Sequence, residues 1–235
     1  MTVFHFQQFS VRQQASAMKV CTDATLFGAM MPLMGGEAVL DIGTGTGLLA
    51  LMAAQLGAGQ VTGVELDLAA CREAANNFSH SPWHERLNAV HASIQHFAEQ
   101  GPKRYDLIIC NPPFFDNHSK SVDQGRRQAR HTDHLPYPEL LKSVQRLLAD
   151  GGLFYLLLPR QAVEPFTTRA KDNGLYLIEQ TDMRGHAHNP AKVSCLTFSR
   201  NRSTCETRLL TIYQTHRVYS QESEHYLAPF LLRFA

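Results

Sequence analysis

The chain has 235 residues, 44% of them hydrophobic and 18% charged, the balance of a soluble globular protein with room for a substantial core. Its formal net charge is only +1, which rules out capture of a polyanion by the field of the whole molecule and leaves any such binding to a local patch. Five cysteines are scattered with no C-x-x-C pair, as free thiols in a reducing compartment would be. No stretch approaches the ~18 consecutive apolar residues of a membrane span, and residues 1–10 lack the apolar run of a signal peptide. A cytoplasmic protein without a membrane partner is expected.

In chain order, Phe4, Phe6 and Phe9 are expected to pack on the core. Thr22 or Asp23 can cap a helix running to Met31, which Pro32 and Gly35-Gly36 end. A short apolar strand, Ala38 to Ile42, leads into Gly43-Thr44-Gly45-Thr46-Gly47 and an apolar helix from Leu48 to Leu56. Strand, glycine loop and helix open a nucleotide-binding βαβ unit, because glycines let the backbone turn tightly and approach a ligand. The next strand, Gln60 to Glu65, ends in a carboxylate about 20 residues beyond the glycines, where the ribose hydroxyls of a nucleoside need an acceptor. Asp67 can cap a helix to Phe78, followed by a strand from Arg86 to Ala92 and a short helix from Ser93 to Gln100. Gly101-Pro102 breaks that helix before a buried strand, Tyr105 to Cys110.

Residues 116–136 are charged and aperiodic. A helix from Tyr137 to Ala149, a turn at Gly151-Gly152, a buried strand from Leu153 to Leu158 and a helix from Val163 to Asn173 follow. Strands are expected over Leu175 to Met183, Val193 to Ser199 and, as one more, Arg208 to Tyr213; Tyr219, Tyr226, Leu227, Phe230 and Leu231 have the spacing of a terminal helix over 219–233. This alternation predicts an α/β fold: a Rossmann-like, doubly wound, seven-stranded and mostly parallel sheet with one antiparallel strand near the C-terminus. One domain, 1–235, is expected, with an N-terminal segment and helix (1–35), a cofactor-binding and catalytic core (36–200) and a C-terminal extension (201–235).

The strand from Tyr105 ends at Asn111-Pro112-Pro113-Phe114. Proline donates nothing to a sheet ladder, so the strand stops there and leaves an amide and an aromatic ring at the carboxyl edge, where open α/β sheets bind ligands. The Asn111 side-chain oxygen and the Pro112 carbonyl can both accept from one –NH2 group and orient its nitrogen lone pair. Phe114 can stack on the planar ring that bears the amine, for about 1–3 kcal/mol. The dinucleotide fingerprint G-x-G-x-x-G/A fails at Leu48. Asp41, just before the glycines, would repel a pyrophosphate and suits a ligand with a positive amine and no phosphate. S-adenosylmethionine is such a ligand.

Asp41-Ile42-Gly43-Thr44-Gly45-Thr46-Gly47, Glu65 and Asn111-Pro112-Pro113-Phe114 together resemble the class I S-adenosylmethionine-dependent methyltransferases, and the last motif resembles those that methylate amines. The resemblance spans roughly residues 20–200. It implies S-adenosylmethionine as cofactor. The backbone of Gly43, Gly45 and Gly47 would lie against it, with Asp41 near its methionyl part, Glu65 on its ribose, Ser93 by its adenine and Thr22 and Asp23 flanking its amino-acid end. Asn111, Pro112 and Phe114 would carry the catalysis, with Asn111 also at the cofactor. Motifs of this type serve adenine N6, guanine N2 in ribosomal RNA, or glutamine in release factors.

A closer resemblance covers nearly the whole chain. Phe6-x-x-Phe9-x-Val11-x-Gln13, Met18-Lys19-Val20-x-Thr22-Asp23, Asn111 to Phe115 and the pattern from Tyr219 to Phe230 are similar to the bacterial methyltransferases that modify adenine N6 beside the anticodon of a valine tRNA. This implies tRNA as partner. Lys120, Arg126, Arg127 and Arg130, with His131 and His134, form a basic segment next to the motif that would suit a phosphate backbone; a solvated loop is the plainer alternative. Arg184, His186, His188 and Lys192 form a second basic patch with the same alternative. His131-x-x-His134 lacks further ligands, so no metal is expected, and the protein is expected to act as a monomer. A ribosomal RNA guanine-N2 methyltransferase is the rival enzyme. A silent RNA-binding factor on the same fold is disfavoured by the intact Asp41, Glu65 and Asn111.

Overall fold

The computed structural model describes residues 3–15, 18–100, 104–112 and 135–235. Its centre is a set of short apolar segments buried on both faces of one sheet. β3 (Ala38–Ile42), β4 (Gln60–Glu65), β5 (Leu87–His91), β6 (Tyr105–Cys110) and β7 (Leu148–Pro159) pair in parallel. β8 (Tyr176–Arg184), β9 (Val193–Ser199) and β10 (Glu206–Thr211) extend them, and the spatial order is β10-β8-β9-β7-β6-β3-β4-β5. β9 alone runs antiparallel, against both β7 and β8. From β3 the chain winds outward to β4 and β5, then crosses back to β6, so β3 and β6 flank the point where strand order reverses.

Alternate residues divide the core. Val39, Leu107, Ile109, Tyr155 and Leu157 join the layer that holds α1 (Thr22–Ala29), α2 (Leu48–Gln55) and α3 (Leu68–Ser79). Leu40, Ile42, Ile108, Phe154 and Leu156 face α4 (Ile94–Glu99), α5 (Tyr137–Leu147) and α6 (Val163–Asp172). This period-two division is what a strand covered by helices on both faces requires.

Several expectations change. Among the described residues the sheet has eight strands rather than seven, because β10 adds in parallel to β8. Four of its six residues are exposed, as an edge strand permits, and Arg208 forms an ion pair with Glu179 on β8. Neither Thr22 nor Asp23 caps α1; Cys21 holds that position without a side-chain bond. The helix from Tyr137 stops at Leu147, because Leu148 already pairs with Tyr105. Gly151-Gly152 lies inside β7 at a register shift between Tyr105 and Leu107 instead of forming a separate turn. The terminal helix is shortened: β11 (Tyr213–Thr215) and β12 (Val218–Tyr219) make a hairpin, and Ser220 then caps α7 (Gln221–Leu227) by accepting from Ser223 N–H at 3.1 Å.

The N-terminal phenylalanines do pack. β1 (Val3–His5) and β2 (Ser10–Arg12) form a hairpin in which Phe6 stacks on Phe9 at 4.5 Å. Gln7 Nε2 donates to the carbonyls of Ala228 and Leu231 at 2.7 and 2.9 Å, tying the first hairpin to the last turns. Among the described residues no helix is long and apolar enough to cross a membrane.

α1 is fastened to the sheet by Phe27, which is fully buried and stacks on Tyr155 with centroids 4.3 Å apart. Phe27→Ala should cost about 3–5 kcal/mol, measured by denaturant unfolding. A loss under about 1 kcal/mol would show that α1 is not docked as described.

Candidate active site

The parallel register brings the candidate residues together. Ile42 pairs with Val64 and with Cys110, and Glu65 pairs with His91, so β3, β4, β5 and β6 end side by side. The chain beyond each end is then stitched to its neighbour. The N–H groups of Gly43 and Thr44 donate to the Val64 carbonyl at 2.8 and 3.1 Å, and Ala92 N–H donates to the Glu65 carbonyl at 3.0 Å. The glycine loop, Glu65, the segment at Ser93 and Asn111 thus share one carboxyl edge.

Asp41 lies at the base of the loop, 1% exposed. Thr44 Oγ1–H donates to its Oδ2 at 2.6 Å. Its Oδ1 is buried and has no hydrogen-bond partner among the described residues; the Ala50 amide in the first turn of α2 faces the carboxylate without satisfying that oxygen. Burial pushes the Asp41 pKa up to about 7; the Thr44 hydroxyl opposes the shift and the charge of Glu65 adds to it.

Two of the glycines are needed for different reasons. Gly43 has φ +71° and nothing within 4 Å of where a Cβ would stand, so its backbone faces open space. Gly47 has φ +82°, and a Cβ there would lie 2.4 Å from Phe78 Cε1, so it serves the packing of α2 on α3. Glu65 is held by backbone amides at both oxygens. Gly45 N–H donates to Oε2 and Asp67 N–H to Oε1, each at 2.9 Å. Asp67 caps α3 as expected, accepting from Ala70 N–H at 2.7 Å.

At the end of β6, Asn111 Oδ1 is buried and without a partner among the described residues, while Nδ2 points to Met18 Sδ at 3.6 Å. Pro112 is half-buried. Pro113, Phe114, Phe115, Lys120, Arg126, Arg127, Arg130, His131 and His134 lie outside the described residues. Ser93 Oγ accepts from His96 N–H at 3.2 Å and caps α4. Thr22 Oγ1 bonds the Tyr213 hydroxyl at 3.1 Å, and burial raises the Asp23 pKa while Lys192 opposes the shift.

Thr44, Met18 and Tyr213 carry roles that sequence reasoning did not assign. A hydroxyl three residues after a buried acid is a signal that could have exposed Thr44. Nothing local marks Tyr213, which is 191 residues from its partner.

A sheet of this order, with a glycine loop after its central strand and an acid at the end of the next, defines a Rossmann-like methyltransferase that uses S-adenosylmethionine. The family model for ribosomal protein L11 methyltransferase (PrmA) matches residues 21–112. A solved structure described as a predicted O-methyltransferase, protein Atu636 from Agrobacterium tumefaciens, shares the fold with a TM-score of 0.65 at 16% identity, covering 86% of this chain and 94% of its own. Two proteins named tRNA1(Val) (adenine(37)-N6)-methyltransferase match almost end to end. The one from Flavobacterium psychrophilum is 41% identical over 94% of this chain and 95% of its own length. The one from Trichodesmium erythraeum is 37% identical over 98% of each. The chain belongs to this tRNA1(Val) (adenine(37)-N6)-methyltransferase family.

The burial of Asp41 has a measurable sign. Its folded pKa of about 7 exceeds its ordinary 3.8, so between these values the folded chain binds more protons than the unfolded one. Stability from this group is therefore lost as pH rises from about 4 to about 7. Asp41→Asn without cofactor should flatten that slope and stabilise the protein at pH above 7, by about 1–4 kcal/mol. Parallel profiles of wild type and variant in thermal or urea unfolding would show that the carboxyl is not desolvated.

Proposed function

We propose that this protein transfers the methyl group of S-adenosylmethionine to N6 of the adenine at position 37 of tRNA1(Val). The observation that carries the reading is the buried Asn111 Oδ1 at the strand-order switch point, which has no partner among the described residues. The substrate comes from membership of a family whose relatives are so named and match nearly the full chain.

The residues present fit the cofactor. Asp41 Oδ1 lacks a partner among the described residues, and the cationic ammonium end of the cofactor would supply one. Gly43 and Gly45 would offer backbone beside it. Glu65 keeps lone pairs beyond its two amide bonds for ribose hydroxyls. Ser93 would lie by the adenine, and Thr22 and Asp23 would flank the amino-acid end. When bound, the cofactor supplies a methyl group made electrophilic by a sulfonium.

The chain's own part is positioning. Asn111 Oδ1 and the Pro112 carbonyl would accept from the two hydrogens of the adenine amine and aim its lone pair. No strong base is needed beforehand, because the nitrogen becomes cationic as it gains the methyl and then gives its proton to water. Phe114 would stack on the adenine ring, and Lys120, Arg126, Arg127 and Arg130 would meet phosphates. The reading takes the enzyme as a single-domain cytoplasmic monomer that needs no metal.

Incubation with labelled cofactor and undermodified total tRNA should place label on one tRNA species, as N6-methyladenosine. Label confined to guanine, DNA or protein would overturn the reading. Asn111→Ala should lower the rate at saturating substrates about 100-fold or more while cofactor affinity, read by calorimetry, stays nearly intact. Survival of turnover would remove Asn111 from the site.

A further inference from the structure

A second feature occupies the same edge of the sheet. β8 and β10 both run parallel to β7, so their ends at Arg184 and Thr211 emerge on the edge that carries Asp41 and Asn111. The loop after β8 and the β11–β12 hairpin leave from those ends. With the last turn of the chain they line a cavity of ≈ 530 Å³ formed by His186, Tyr213, His216, Arg217, Tyr219 and Arg233.

Every one of these six side chains is aromatic or cationic, and none is acidic. Their rings form a connected row. His186 lies 5.6 Å from Tyr213, Tyr213 stacks on Tyr219 at 5.2 Å and 17°, and the Arg233 guanidinium stands 5.0 Å over Tyr219. Arg217 sits at the hairpin tip with φ 61°, the one positive-φ residue other than glycine among the described residues. Its side chain is exposed, and no hydrogen bond or ion pair engages it among the described residues. Glu222 and Glu224 stand in the first turn of α7, outside the cavity lining.

The row is joined to the active site. Tyr213 bonds Thr22, and the segment just before Thr22 reaches Asn111 through Met18. Aromatic rings beside guanidinium groups are the chemistry that holds an unpaired nucleotide: the rings pack against a base with little regard to sequence, and arginines pair with phosphates. A chain of net charge +1 needs such a local patch to hold a polyanion. An acidic peptide would use the arginines but not the aromatic row beside them.

We propose that this cavity is a docking platform for the tRNA substrate, where phosphates near the target meet Arg217 and Arg233 and an unpaired nucleotide lies against the open edges of the His186–Tyr213–Tyr219 row. This rests on the tRNA reading above. The test uses the full chain and a fluorescently labelled tRNA1(Val) transcript, with binding read by anisotropy across a salt series. Calorimetric cofactor binding and melting temperature are measured alongside.

The Arg217→Gln/Arg233→Gln pair should weaken tRNA binding about 10-fold or more, lower the salt slope by about two and raise KM for tRNA, with cofactor affinity unchanged and the melting temperature lowered only by the loss of the Arg233 contacts with Tyr219 and Phe234. Arg217→Gln alone, which removes no ring packing, should give part of the same loss. Arg146→Gln, at the far end of α5 on the opposite edge, should bind tRNA as wild type does. Wild-type affinity and salt slope in the double variant, while the unaltered enzyme methylates the transcript, would overturn the platform and leave the tRNA reading standing. An equal loss in Arg146→Gln would also overturn the platform. An unaltered enzyme that neither binds nor methylates tRNA would overturn both.

Discussion

The site depends on a carboxylate held where water cannot reach it. Asp41 has one oxygen satisfied by Thr44 and one left without a partner among the described residues. The surroundings keep it that way. A Cβ on Gly63 of the neighbouring strand would lie 2.7 Å from Thr44 Oγ1, so glycine at that position lets the Thr44 hydroxyl stand over the acid. The amides of Gly43 and Thr44 are anchored on the Val64 carbonyl, which prevents the loop from rising to admit solvent. An uncompensated buried carboxylate is costly, and a cationic ligand removes the cost. The structure thus stores a preference for a cation at a place where glycine loops of other nucleotide-binding folds receive phosphate.

Glu65 does related work from the other side of the loop. Its two oxygens hold the amides of Gly45 and Asp67, so it braces the loop against the start of α3 before any ligand arrives. A carboxylate already fixed in this way would meet a ligand's hydroxyls without rearrangement, which lowers the ordering cost of binding. The same economy appears at Gly47, whose missing Cβ lets Phe78 press against the start of α2.

The parts legible in the sequence were those written locally. Apolar strands ending in glycines, in Glu65 or in Asn111 announce a sheet edge and its chemistry through their own spacing, and Asp67 announces its cap. What stayed hidden is set by distant partners. β10 exposes most of its residues and finds its place only through pairing with β8. The turn at Arg217 uses a left-handed conformation without the glycine that usually signals one. The Thr22–Tyr213 bond and the Asn111–Met18 contact join segments far apart in sequence. Thr22 and Asp23 looked like caps because their residue types suit that position, and the tertiary bond to Tyr213 shows Thr22 put to other use.

Charge is partitioned along the carboxyl edge. Asp41 and Glu65 lie on β3 and β4, whereas Arg217 and Arg233 stand farther along, at the tip of the β11–β12 hairpin and in the last turn of the chain. The acids disfavour phosphate beside them and the arginines favour it. A polynucleotide meeting this edge would keep its backbone outside the acidic region and present a neutral base to it. Asn111, an uncharged amide whose oxygen has no partner among the described residues, follows the strand that lies between the two regions and would suit the amine of such a base.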